Sequence, residues 1–242
     1  MIHPTRLTVS ERDLEMVTEY ETQNILKEGF YDIVQSKDSS KLLVYHQLPY
    51  KKGQPERFKL RVFDEQFQAM WNSEITLPYN NEVFGVEEYQ VDKSGNVYLL
   101  GILYQNSGKV RFSNTPNYQY IILSYTQNGE MTDEYRIDLG DRFVTDLTFR
   151  ISEDSNLICT GFYSDKGTRT AKGTYFFKID LESKAVFNQN FKPFDFDLLT
   201  QGYSERQKEK AENAVEQGND GRAPELFRFA LNELILRSDG GA

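Results

Sequence analysis

The side chains able to do chemistry are few in this sequence. His3 and His46 are its only histidines, and Cys159 is its only cysteine. Zinc and its neighbours draw on clustered imidazole and thiolate ligands, and neither Cys-x-x-Cys nor His-Glu-x-x-His spacing occurs, so no metal site and no metal cofactor is expected. Cys159 stands between Ile158 and Thr160 in an apolar segment, which predicts a buried small hydrophobe rather than a reactive thiol. A single cysteine also excludes a disulfide within the chain. His46 follows Val44-Tyr45 and is expected at a strand end, as a rim or loop residue rather than a base. Without a Gly-x-Ser-x-Gly elbow, a Walker loop or a Gly-x-Gly-x-x-Gly helix start, serine hydrolase, nucleotide and dinucleotide chemistry are disfavoured.

Carboxylates are the remaining candidates. Asp138, Asp141 and Asp146 form one supply, Asp195 and Asp197 another. Glycoside hydrolysis needs two carboxylates facing each other about 5–9.5 Å apart, and calcium needs about 6–8 converging oxygens. With 37 acidic residues in the chain, some cluster by chance, and solvated loops and strand ends are the expected positions of these five. Asp38, Asp154 and Asp239 recur beside Ser or Gly, faintly like the Asp-box turns of sialidase-type propellers. The aromatic residue that packs behind such a box is missing, and aspartate favours turns by bonding its own backbone. No catalytic residue and no cofactor is therefore expected, and the residues of any ligand site stay unassigned.

The elements that would position such groups show themselves as repeats. Ser36–Tyr45, Asp92–Gly101, Ser152–Gly161 and Arg237–Ala242 each begin with a small polar turn, and all but the last run on into an apolar strand. Their starts lie 56, 60 and 85 residues apart. Before each turn comes an alternating stretch: Phe30–Val34, Val86–Val91, Leu147–Ile151 and Phe227–Leu236. Period-two patterning beside Ser, Asp and Gly predicts strand, turn, strand. A third strand is expected at Phe58–Asp64, Tyr120–Thr126 and Tyr175–Asp180, and a fourth at Ala69–Leu77, Glu134–Leu139 and Ala185–Phe191.

Four short antiparallel strands per repeat predict an all-β chain of β-propeller-type blades, about three full ones plus partial ones. Such a blade cannot bury both faces alone, so neighbours must stack, and radial stacking about a channel also disposes of exposed edges. A linear stack of sheets and a β-sandwich are the alternatives. Residues 1–242 are expected to form a single propeller, an incomplete ring. The long third gap holds Tyr203–Gly218, where Ser204 and Gln207 have capping-box spacing and Ala211, Ala214 and Val215 give a narrow apolar stripe. This predicts a short, largely solvated helix near 203–217, within an insertion spanning 203–219 whose exit, Gly218–Arg222, suggests mobility.

Composition narrows the partners. Lys+Arg 28 against Asp+Glu 37 gives a formal charge of −9, which repels a nucleic-acid backbone, so no nucleic acid is expected as partner. Apolar runs such as Val97–Leu103 fall far short of the roughly 20 residues of a membrane helix, so no membrane span is expected. An aromatic content of 14%, with Tyr 15 and Phe 17, suits pleated half-buried surfaces. The segment Leu14–Tyr20, within residues 6–27, resembles the fourth strand of an earlier blade. No export signal opens the sequence, and a final turn at Asp239–Ala242 with no strand behind it suggests a truncated piece, or else a ring closed by pairing the first and last strands.

Ile75–Tyr79, Asn117–Gly129, Thr160–Ser164, Lys172–Tyr175 and Asn232–Ala242 together resemble a family of uncharacterised propeller-like exported proteins of the Bacteroidetes. The resemblance covers residues 58–242. It implies an export signal before this chain and further strands after it, hence a periplasmic, cell-envelope or secreted location; a cytoplasmic one is the alternative. It implies no catalytic or binding residues.

These observations favour a non-enzymatic scaffold or binding module of the envelope, its loops presented to a protein or a glycan. The alternative is a carbohydrate-active or other hydrolytic propeller that uses carboxylates in its central channel, which requires two of them in a concave aromatic-lined pocket. A third expectation is one arc of a ring with no activity of its own.

Overall fold

The computed structural model describes residues 2–3, 8–9, 30–107, 116–126, 128–140, 142–152, 154, 156–167, 169–219, 221–231 and 234–235. A two-residue antiparallel pair, β1 (Ile2–His3) and β2 (Thr8–Val9), comes first. Three four-stranded antiparallel meanders follow. The first blade contains β3 (Tyr31–Gln35), β4 (Lys41–Gln47), β5 (Pro55–Asp64) and β6 (Ala69–Asn80). The second contains β7 (Phe84–Val91), β8 (Val97–Tyr104), β9 (Tyr118–Tyr125) and β10 (Met131–Ile137).

The third blade is built from β11 (Phe143–Ile151), β12 (Asn156–Ser164), β14 (Gly173–Asp180) and β15 (Val186–Pro193), with a small β13 (Thr170–Ala171) between its second and third strands. Two helices follow, α1 (Phe196–Leu199) and α2 (Glu205–Glu216), then β16 (Leu226–Phe227). The all-β, blade-type architecture expected from the repeats is therefore the fold of the chain.

Hydrophobic cores lie between the blades. One packs Leu43, Phe58, Val62 and Trp71 of the first blade against Tyr89, Leu99 and Leu123 of the second. The other packs Leu100, Ile102 and Ile122 of the second against Phe149, Leu157 and Phe177 of the third. Alternate residues of β8 and β9 thus enter opposite cores, which is why both strands are continuous apolar runs; a strand buried on both faces loses the polar alternation of a half-exposed one. Polar tethers reinforce the stack: Trp71 Nε1 donates to the Gly95 carbonyl at 2.9 Å, and the Tyr135 hydroxyl to that of Leu181 at 3.2 Å.

The first strands come together, with β7 lying against β3 on one side and β11 on the other. They are the inner strands, and β6, β10 and β15, at the far edge of each sheet, are the outer ones. Glycine fits two crowded places on the second strands. A Cβ on Gly101 would fall 2.2 Å from the Phe84 ring, and one on Gly161 would fall 2.0 Å from the Asp146 carbonyl oxygen.

The last alternating stretch departs from expectation. Among the described residues of Phe227–Leu236 no fourth sheet opens, and the strand ends at Phe227, paired through β16 with β13. Arg228 takes a left-handed φ of 60°, which breaks the extended run, and its N–H donates to the Arg169 carbonyl at 2.9 Å. The segment is instead strapped to the third blade, where the Glu225 carboxylate accepts from the fully buried Ser164 hydroxyl at 2.7 Å.

Helix α2 falls inside the expected insertion, with the Ser204 N–H donating to Gln207 Oε1 at 2.8 Å and Ala211 and Ala214 buried. Its exit is a bonded turn, since the Arg222 and Ala223 N–H groups both donate to the Asn219 carbonyl. The short α1 has no counterpart in the sequence reading. Leu14–Tyr20 and the Arg237–Ala242 turn lie outside the described residues.

Candidate functional site

The inner strands bring one polar network to the face they share. A β-bulge between Val86 and Glu88 shifts the register of β7 against β8, and bulges commonly re-aim side chains. Glu88 then meets β11. Its Oε2 accepts from the Thr148 hydroxyl at 2.9 Å, while Oε1 accepts from Gln90 Nε2 at 2.7 Å and pairs with the Arg150 guanidinium. Arg150 also donates to the Phe149 carbonyl at 2.7 Å. Both carboxylate oxygens of Glu88 are thereby occupied by donors from two blades.

At the turn end of these strands opens a cavity of about 340 Å³, lined by Lys37, Asp38, Gln90, Asp92, Lys93 and Arg150 among others. The two aspartates are turn residues. Asp38 Oδ1 accepts from the Ser36 hydroxyl at 2.7 Å, the Ser40 hydroxyl at 2.9 Å and the Ser40 N–H at 3.1 Å. Asp92 Oδ1 accepts from the N–H groups of Ser94 and Asn96, and Oδ2 from Asn96 Nδ2 and the Tyr98 hydroxyl. Gly95, at φ 86°, completes that turn.

The Ser36 hydroxyl above all, with Ser40 beside it, holds the Asp38 carboxyl below the usual carboxylate range against the opposing effect of desolvation. A group whose acidity is strengthened by folding contributes stability above its unfolded value, about pH 4, and loses it as pH falls through the lower folded value. Asp38→Asn should remove that dependence and cost about 0.5 kcal/mol at pH 7, small because the carboxylate is exposed and screened. Melting curves of both proteins from pH 2 to pH 6 measure the difference.

Two of the other carboxylates singled out in the sequence accept from backbone N–H groups, one distant and one local. Asp146 Oδ2 accepts from the Leu231 N–H at 2.6 Å, and Asp138 Oδ1 from the Gly140 N–H at 2.8 Å. Asp195 is the N-cap of α1 and Asp197 lies in its first turn, while Asp154 is exposed in a turn. Asp141 and Asp239 lie outside the described residues, as does the side chain of His3. Among the described residues no group of three or more His, Cys, Asp and Glu side chains is gathered that could hold a metal ion.

His46 stands near the end of β4 as expected, but it is neither in a loop nor at an exposed rim. It is 1% exposed inside β4, between Tyr31 and Lys59 of the flanking strands, because β4 runs on to Gln47 before turning. Cys159 is fully buried in the core between the second and third blades, as its apolar neighbours predict, and burial pushes its thiol pKa upward.

A second cleft, of about 380 Å³, opens between the second and third blades beside β8, β9 and the end of β10. Tyr104, Tyr118 and Tyr120 line it, together with Arg136, Asp138 and Arg142. The Tyr118 hydroxyl donates to the Val144 carbonyl at 2.5 Å. Arg136 is engaged by Glu134 at 2.7 Å and by the Tyr79 hydroxyl at 3.1 Å. The guanidinium of Arg142 lies over the rings of Phe191, at 4.3 Å, and Tyr163, at 5.5 Å. Sequence reasoning marked neither Arg142 nor Glu88. The tyrosines at alternate positions 118 and 120 were a usable signal for the cleft; nothing local announced the arginine.

Neither a protein-family model nor a curated protein matches the chain. Among solved structures, cobalt-substituted Synechocystis ACO is similar over 68% of this chain, with a TM-score of 0.42 and 12% identity. A point mutant of the Synechocystis apocarotenoid oxygenase is similar over the same share, with a TM-score of 0.40 and 12% identity. The chain spans 39% of the length of each.

Proposed function

We propose that this chain is an arc of a β-propeller acting as a non-enzymatic binding module of the bacterial envelope, in the exported Bacteroidetes family it resembles. The observation that carries this is the state of Glu88. A carboxylate that serves as nucleophile or general base needs a free oxygen facing its substrate, whereas both oxygens of Glu88 are engaged by Arg150, Gln90 and Thr148. The acids at the adjacent mouth, Asp38 and Asp92, are likewise committed to their turns. Among the described residues that mouth is walled by charged, amide and hydroxyl groups together with Val91 and Ile151, and no aromatic ring stands among them, which suits a protein loop better than a sugar ring that stacks on aromatic faces.

The test joins two measurements on the purified chain. Incubation with a panel of polysaccharides should release no reducing ends. Capture of envelope proteins should be lost when Lys37 and Lys93 are both changed to Glu. Saccharide hydrolysis that disappears in Glu88→Gln would establish the hydrolytic alternative, and unchanged capture by the double variant would move the binding surface away from the inner strands.

A further inference from the structure

We propose that the cleft between the second and third blades binds a small ligand carrying one carboxylate on a flat apolar body, at a site separate from the mouth at the turn end of the inner strands. Its volume, about 380 Å³, lies within the range of small-molecule pockets. Tyr104, Tyr118 and Tyr120 are 7%, 8% and 3% exposed, so these rings are fixed in the core and offer only an edge or face to the opening. Such walls take a flat apolar group at little entropic cost.

Arg142 supplies the charge. It is exposed at the rim, and among the described residues its contacts are the rings of Phe191 and Tyr163, with no carboxylate in ion-pair reach. Stacking on rings holds a guanidinium plane in place while leaving its N–H edge available, and that edge matches a carboxylate in two-point fashion. Arg136, on the same lining, differs because Glu134 and Tyr79 already hold it.

Asp138 sets the ligand's charge limit. One of its oxygens takes the Gly140 N–H, and the whole group stands on the cleft wall. A phosphate or a dicarboxylate would meet this negative charge in addition to Arg142, whereas a monocarboxylate meets a balanced pair.

The experiment titrates the full chain with 4-hydroxyphenylacetate and with its uncharged amide at pH 7, read by saturation-transfer NMR and by shifts of the bound tyrosine signals. The acid should saturate with a Kd on the order of 1 mM, and the amide should bind about tenfold more weakly. Arg142→Gln should bring the acid down to the amide, and Asp138→Asn should tighten the acid while leaving the amide unchanged. Both substitutions are at exposed positions, and a melting curve of each variant checks that it is folded. Equal binding of acid and amide, an unaltered acid affinity in Arg142→Gln, or no saturation by the acid at 10-fold the expected Kd would overturn the proposal. Charge reversal at Lys37 and Lys93 should leave this titration unmoved, so the two sites fail separately.

Discussion

Gly161→Ala is expected to lower the melting midpoint by about 10 °C, equivalent to about 3 kcal/mol for a chain of this size. The added methyl would sit 2.0 Å from the Asp146 carbonyl oxygen and 2.4 Å from the Tyr175 hydroxyl oxygen. A side-chain end can swing aside, but this oxygen is main chain, in β11 at the end of a bulge between Val144 and Asp146, where the strand resumes its pairing with β12. The same carbonyl accepts from the Tyr175 hydroxyl at 2.8 Å, so relief on one side breaks a hydrogen bond on the other. Calorimetry of the single variant and of Gly161→Ala in a Tyr175→Phe background separates the causes. Most of the loss should persist in the second protein, since the backbone oxygen is still there; a midpoint within 2 °C of wild type in the single variant would mean that the strands yield.

Removing Glu88 is the other substitution with a large expected effect. Glu88→Ala leaves the Arg150 guanidinium, whose side chain is only 17% exposed, facing the inner strands without its carboxylate. Breaking a buried pair from one side costs about 3–5 kcal/mol, and partial exposure to solvent reduces this to about 2–3 kcal/mol here. Arg150→Ala should cost less, because Thr148 and Gln90 still satisfy Glu88. The double variant Glu88→Ala/Arg150→Ala should be less destabilised than the sum of the two singles, with a coupling of about 1–2 kcal/mol. Urea unfolding of the four proteins closes the cycle. Strict additivity would show that the pair contributes nothing to holding the second and third blades together.

The repeats were legible because each strand hairpin carries its own local signals. Asp92-Lys-Ser-Gly95 announces a turn through residue types alone, and the apolar runs behind Asp92 and Ser152 begin where β8 and β12 begin. The capping pair Ser204 and Gln207 likewise placed α2 to within a residue or two. The stretch Phe227–Leu236 misled for a physical reason. Alternation of apolar and polar residues states that a segment is extended and half-buried, and says nothing about whether four partners or two residues of β13 will pair with it. His46 was placed at a strand end, where β4 does hold it, but a strand end suggested a rim and the residue is buried.

The site was less legible than the fold, and the cause is distance in the chain. Glu88 and Arg150 are brought together by the packing of two blades, and a bulge at Val86/Glu88 aims the first of them. Neither is detectable from neighbours in sequence. Arg142 owes its arrangement to Phe191, on the fourth strand of the same blade. Of the carboxylates that cluster in the sequence, Asp138 bonds the Gly140 N–H in its own loop, whereas Asp146 accepts from the Leu231 N–H far along the chain, a partner that no local spacing announces.

Blade two has a core on each side, and each of those cores is furnished half by one repeat and half by the next. Such a unit is a link rather than a self-sufficient body: excised, it would expose two apolar faces, each shaped to a different neighbour. A change of one strand within a repeat disturbs two neighbours at once.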